Sequence, residues 1–183
     1  MFHKISTYQF CNQNNGNLFS VDINDCSNVS KDKKWKFIQS RDDNFLLVKS
    51  LIPKEIDIIF VDTLHEAEHV KKIIYNYYSH LKVGGYIFID DISHLPYIDN
   101  KKSSFYCEIN NRETFNKLVD IYYFNKNNFQ LSFNFFSSGL AIIKKVSNDN
   151  LNQSFKVKSR QFSVKNFFRK VWIFFRLNGY KIF

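Results

Sequence analysis

The sequence predicts an α/β fold, with a mostly parallel sheet that finishes in an antiparallel hairpin and a separate amphipathic helix at the C-terminus. Three observations carry this. The segment "EIDIIFVD", residues 55–62, is an almost unbroken apolar run, the composition of a strand covered on both faces. A helical apolar pattern and a second run, "YIFID", follow it, which makes a strand–helix–strand unit. Two later runs, "FQLSFNFF" and "GLAIIKKV", meet at Ser137-Ser138-Gly139, where the glycine supplies the turn of a hairpin.

The elements follow in order. "NLFSVDI", residues 17–23, reads as a short strand ending at Asp22, and "WKFIQS", from Trp35, reads as another. Pro53 precedes the Glu55–Asp62 strand. Thr63 and Glu66 have the spacing of a capping box, with Thr63 as N-cap. Val70, Ile73, Ile74, Tyr77 and Leu81 then recur at helical intervals, and Gly84 and Gly85 are expected to stop that helix before "YIFID". "RETFNKLVDIYYF" puts Phe115, Leu118, Val119 and Tyr122 on one helical face ahead of the hairpin. This gives a domain over residues 1–146, a polar linker over 147–158 and a basic aromatic helix over 159–183. In that last helix Val164, Phe167, Phe168, Val171, Trp172 and Phe175 form a stripe, with Lys165, Arg169, Lys170 and Arg176 off it. Two occupants of the stripe are expected: the domain or a second chain, or an acidic membrane surface contacted through residues 162–177.

Composition excludes several classes. An apolar fraction of 44% with 18% aromatics argues against disorder. Cys11, Cys26 and Cys107 are odd in number and widely spaced, without a CxxC or Cys/His cluster, which argues against a zinc site or a disulfide framework. Free thiols fit a reducing, cytoplasmic location, at the inner membrane surface if the tail attaches there. No secretory signal or apolar run long enough to span a bilayer is evident. The net charge of +9 favours anionic partners, but no nucleic-acid motif accompanies it.

Asp22, Asp62, Asp90 and Asp91 all fall at the carboxyl ends of predicted strands, the edge on which open parallel sheets bind ligands. Carboxylates there must be solvated, hydrogen-bonded or bound to a cation, so their convergence suggests a site. Singly, Asp62 or Asp91 could equally cap the turn that follows.

The block "EIDIIFVDTLHEAEHVKKIIYNYYSHLKVGGYIFIDDIS" resembles the class I S-adenosylmethionine-dependent methyltransferases. It is similar to the branch whose fourth strand ends in Asp-x-x-His, here Asp62 and His65, and whose fifth follows Leu-Lys-x-Gly-Gly, here residues 81–85. "GLAIIKK" resembles that fold's last strand, and the likeness covers roughly residues 1–146. It implies a Rossmann-like sheet and S-adenosylmethionine as cofactor. Asp22 would hold the ribose hydroxyls, and Ser40, Arg41 and Asp42 would lie at the adenine, with Asp62 beside the cofactor. Asp62, Asp90 and Asp91 resemble the metal ligands of catechol-type O-methyltransferases, which implies Mg²⁺ or another divalent cation. The departure is Asp91, where those enzymes carry an amide. His65 stands at their basic position and would be the general base, with His69 one turn on and His94 beyond the acid pair.

The family's Gly-rich turn would fall about 20 residues before Asp22, within "MFHKISTYQF", which has no glycine. Ser6-Thr7 matches the end of that motif and Lys4 replaces a glycine, while the strand before it is not found. A chain lacking that central strand would leave inner strands with unpaired backbone groups. The expectations are therefore two: a methyltransferase acting on a small-molecule or saccharide hydroxyl, shortened at its N-terminus, or an inactive remnant that binds through its basic aromatic tail.

Overall fold

β1 (Leu18–Asp22) and β2 (Trp35–Gln39) pair in parallel, from Leu18 opposite Trp35 to Asp22 opposite Gln39. Trp35 Nε1 donates to Ser20 Oγ at 2.9 Å and ties the two strands through their side chains as well. The computed structural model describes residues 16–94, 104–157 and 163–177, with the side chains of 104–107 excepted.

A short helix follows that the sequence pattern did not announce, α1 (Phe45–Leu51). Its signal is nonetheless present: Phe45, Val48 and Ile52 recur at helical spacing, Val48 is buried, and the ring of Phe45 meets that of Tyr77 edge-on.

β3 (Ile56–Val61), α2 (Ala67–Tyr77) and β4 (Leu81–Asp90) form the expected succession of strand, helix and parallel strand, with a 3₁₀ turn over Tyr78–His80. Two details differ from expectation. The helix starts at Ala67 with Glu66 at the N-cap, and no side chain caps it, because the Thr63 hydroxyl is taken by Asp42. The two glycines do not end the helix. They lie inside β4, where the register passes from Ile56 opposite Leu81 to Ile58 opposite Tyr86. Gly84 has φ +87, and a Cβ on Gly85 would come within 2.8 Å of the Asp57 carbonyl oxygen, so the bulge itself demands both glycines.

After α3 (Ser104–Phe124), β5 (Phe129–Asn134) and β6 (Leu140–Lys145) make the predicted hairpin, and β6 adds antiparallel to β4. The sheet order is β3-β4-β6-β5, and β1-β2 is a separate two-stranded sheet. α2 and α3 cover one face, where Ile74, Ile87, Ile89, Leu118, Ile121 and Phe129 are buried at 1% exposure or less. At about 1.5–3 kcal/mol for each large side chain withdrawn from water, this cluster dominates the stability of the domain. β3 was expected to be covered on both faces. Instead Ile59 and Val61 turn to the core while Ile58 and Phe60 stand 53% and 60% exposed, because no helix among the described residues lies over that face.

The polar stretch after β6 runs back along the domain. The Asn125 side chain holds the backbone of Asn152 at both groups, donating to its carbonyl and accepting from its N–H, and Val157 N donates to Asp120 Oδ1. α4 (Val164–Leu177) buries none of its residues.

Candidate functional site

The strand ends are joined into one rim by a chain of contacts. Ser40 N donates to the Asp22 carbonyl at 2.9 Å, which sets the ends of β1 and β2 side by side. From the loop after β2, Asp42 reaches across to the end of β3: its Oδ2 accepts from Thr63 Oγ1 and lies 3.0 Å from His69 Nε2 on α2. Tyr77 OH donates to the Asp42 carbonyl at 2.7 Å, so α2 holds that loop at two points. Beyond Thr63, His65 Nε2 sits 3.2 Å from Asp91 Oδ2 and 3.8 Å from Asp62 Oδ1. Asp90 Oδ1 accepts from Asp91 N and from Ser138 Oγ of the β5–β6 turn. All four expected carboxylates thus share the carboxyl edge of the strands.

Local geometry explains each placement. Asp91 has φ +57, an unusual conformation for a residue with a side chain, and the carboxylate of Asp90 stabilises it by accepting its N–H. That backbone turn points Asp91 at His65, while Asp90 points at Ser138. Asp22 Oδ1 accepts from the N–H and the side-chain amide of Asn24. Among the described residues no donor reaches Asp22 Oδ2, so a half-buried carboxylate oxygen is open at the strand end. That matches the need of a ribose diol, which offers two hydroxyl donors.

The loop expected at the adenine is internally braced. Ser40 Oγ donates to the Arg41 carbonyl, and Arg41 forks onto Asp43 with two contacts of 2.8 Å. The guanidinium holds the Asp43 carboxyl down at about 2. Asp42 faces inward to Thr63 and His69, which makes it a positioning group for the loop. His69, 7% exposed, is the buried member of this cluster.

The three acids expected to hold a cation do not form a metal site here. Among the described residues no three His, Cys, Asp or Glu side chains gather at metal-binding spacing. The reason is visible: Asp90 is engaged by Ser138, and Asp91 and Asp62 are drawn to His65. His94 is directed elsewhere as well; its ring packs 4.8 Å from that of Phe115, and its Nδ1 is buried without a partner. Thr63 and Ser138 were not foreseen from the sequence, since a lone hydroxyl after a strand or in a turn carries no distinguishing pattern.

In a neutral histidine whose Nε2–H donates to Asp91, Nδ1 is left as the acceptor. The rim therefore offers an oriented imidazole able to take a proton, beside an open carboxylate and a rigid loop.

Comparison with known proteins gives the context. A family described as "Methyltransferase domain" matches residues 5–92. No curated protein matches. Among solved structures, the MycE methyltransferase of the mycinamycin biosynthetic pathway, in complex with Mg, SAH and mycinamycin VI, is 20% identical with a TM-score of 0.52. The alignment covers 75% of this chain and 38% of that one. The SAH-bound methyltransferase PaMTH1 of Podospora anserina is 15% identical with a TM-score of 0.53, over 70% of this chain and 59% of that one. The chain thus spans less than two thirds of the length of these structures, and at such identities the likeness is one of fold.

Proposed function

From a chain whose residues 5–92 match a methyltransferase domain family, on a sheet with the class I S-adenosylmethionine-dependent methyltransferase fold, we propose methyl transfer to a hydroxyl of a small molecule or saccharide. The observation that carries this reading is the His65–Asp91 pair, set on the same rim as Asp22.

The geometry supports the following roles. Asp22 accepts the ribose hydroxyls through its open oxygen. The loop of Ser40, Arg41 and Asp42, clamped by Thr63, His69 and Tyr77, forms the wall for the adenine. Asp91 orients His65, and Nδ1 of that imidazole takes the acceptor's hydroxyl proton. Asp62 Oδ1 lies 3.8 Å from the same Nε2 and leaves Nδ1 clear. A bound S-adenosylmethionine would supply an electrophilic methyl on a sulfonium, which the acceptor oxygen would take as the C–S bond broke with its electron pair left on sulfur. No step runs through a metal ion; to join Asp62 and Asp91 on a cation, Asp90 would first have to leave Ser138.

One observation favours the second reading, a binding module without catalysis. Among the described residues no backbone hydrogen bond joins β1-β2 to β3, and only side-chain contacts span the interval.

Isothermal titration with S-adenosylmethionine separates the two. The intact chain is expected to give heat that Asp22→Ala abolishes. His65→Gln is expected to keep that heat and to lose transfer by about 10²–10⁴-fold, the usual contribution of a general base. No heat from the intact chain sinks the enzyme reading.

A further inference from the structure

α4 is strongly amphipathic, yet none of its residues is buried. At 100° per residue, Phe174, Phe167, Val171, Phe175, Phe168 and Trp172 fall in that order across one face, with no polar residue among them. Phe167, Phe168 and Phe174 are each more than 60% exposed. The borders of this face are cationic. Lys165 and Arg176 follow Trp172 on one side, Lys170 follows Phe174 on the other, and the Arg176 guanidinium lies 5.3 Å from the Trp172 ring. Ser163 caps the first turn by accepting from Asn166 N at 3.2 Å.

Charge is divided unevenly along the chain. The first 149 residues hold all 17 acidic and 18 basic residues, a net of +1. The last 34 hold eight basic residues and no acidic one. Nearly the whole excess charge of the protein therefore belongs to the segment that bears α4.

We propose that α4 lies flat in the interface of an acidic lipid bilayer, its aromatic face in the acyl boundary and its lysines and arginines at the headgroups. Fourteen residues of helix are about 21 Å long, short of the ~30 Å hydrocarbon core, and no described helix is long and apolar enough to cross a membrane. A helix lying in the plane satisfies its own backbone and buries its rings while its cations remain wet. A second copy fits less well. Two such faces brought together would set the three border cations of each helix against those of the other, with no acid on either to pair with them. Because isolated helices of this length are marginal in water, helix formation and membrane attachment are coupled.

This inference is independent of the methyl-transfer reading, since none of the rim contacts described above involves a residue of α4. Its test uses the full chain and vesicles of phosphatidylcholine, with and without phosphatidylserine. The chain is expected to sediment with the acidic vesicles and to release as salt rises. Lys165→Gln and Arg169→Gln are each expected to weaken binding roughly five-fold. Trp172→Ser should weaken it further, with the cofactor heat unaltered in all three variants. In a Trp35→Phe background, emission from Trp172 should shift to the blue on binding; should that background not fold, sedimentation of the parent chain decides the question. Equal binding to neutral vesicles, no binding to either, or a lipid-free dimer that Phe168→Asp dissociates would overturn the proposal.

Discussion

Tyr77 and Tyr78 are neighbours in sequence and brace opposite ends of the sheet. Tyr77 OH donates to the Asp42 carbonyl at the rim; Tyr78 OH donates to the Asn128 carbonyl at 2.6 Å, beneath β5. Burial, aided by nearby carboxylates, pushes both phenols up from 10.0 to about 12. The sign of the consequence is fixed. Below pH 10 both phenols are neutral in folded and unfolded chains, and their contribution is fully present. Between 10 and 12 the unfolded chain ionises first, so stability falls as pH rises. Urea unfolding is expected to show a midpoint that drops above about pH 10, and Tyr77→Phe or Tyr78→Phe to flatten that drop while costing about 1 kcal/mol at neutral pH for the lost hydrogen bond. An unchanged alkaline slope in both variants would count against the assignment. At this scale the sequence was legible where chemistry repeats: acids after apolar runs announced the rim, and Asp62-x-x-His65 announced the imidazole. What it did not disclose was pairing. Asp42 finds Thr63 and His69 from 21 and 27 residues away, and nothing local encodes that meeting.

Among elements, the β5–β6 turn has the tightest tolerance. Gly139 has φ +85, and a Cβ there would lie 2.5 Å from Ser93 N and 2.7 Å from Ser93 Cβ. The turn also holds the segment beyond β4: Ser93 N donates to the Ser138 carbonyl at 2.8 Å, and Ser138 Oγ donates to Asp90. Gly139→Ala is expected to cost about 1–3 kcal/mol in unfolding free energy, whereas Gly16→Ala, with open space at its Cβ, should change little. Chemical denaturation of the two variants side by side checks this; equal effects would refute it. Strands and hairpin were legible because apolar runs and turn residues are local signals. The boundary between α2 and β4 was not, because a pair of glycines reads alike as a helix stop and as a strand bulge. Only the register of β3 against β4 decides between them.

At the scale of the molecule, the described residues form a four-stranded sheet and a strand pair that meet through side chains at one rim, with a cationic amphipathic helix beyond. The α/β class and the carboxylates at the strand ends were readable in advance. The open face of β3 was not, since Ile58 and Phe60 look in sequence like any buried residues of a central strand, and their exposure depends on what lies across from them. That strand has a further consequence. Among the described residues only β4 pairs with it, and a flank that no described strand covers, beside two large apolar side chains, is a ready seed for growth by like molecules. Concentrated solutions are thus expected to convert slowly into thioflavin-binding fibrils, and Phe60→Lys to delay them. Fibrils that form equally fast from Phe60→Lys would place the seed elsewhere.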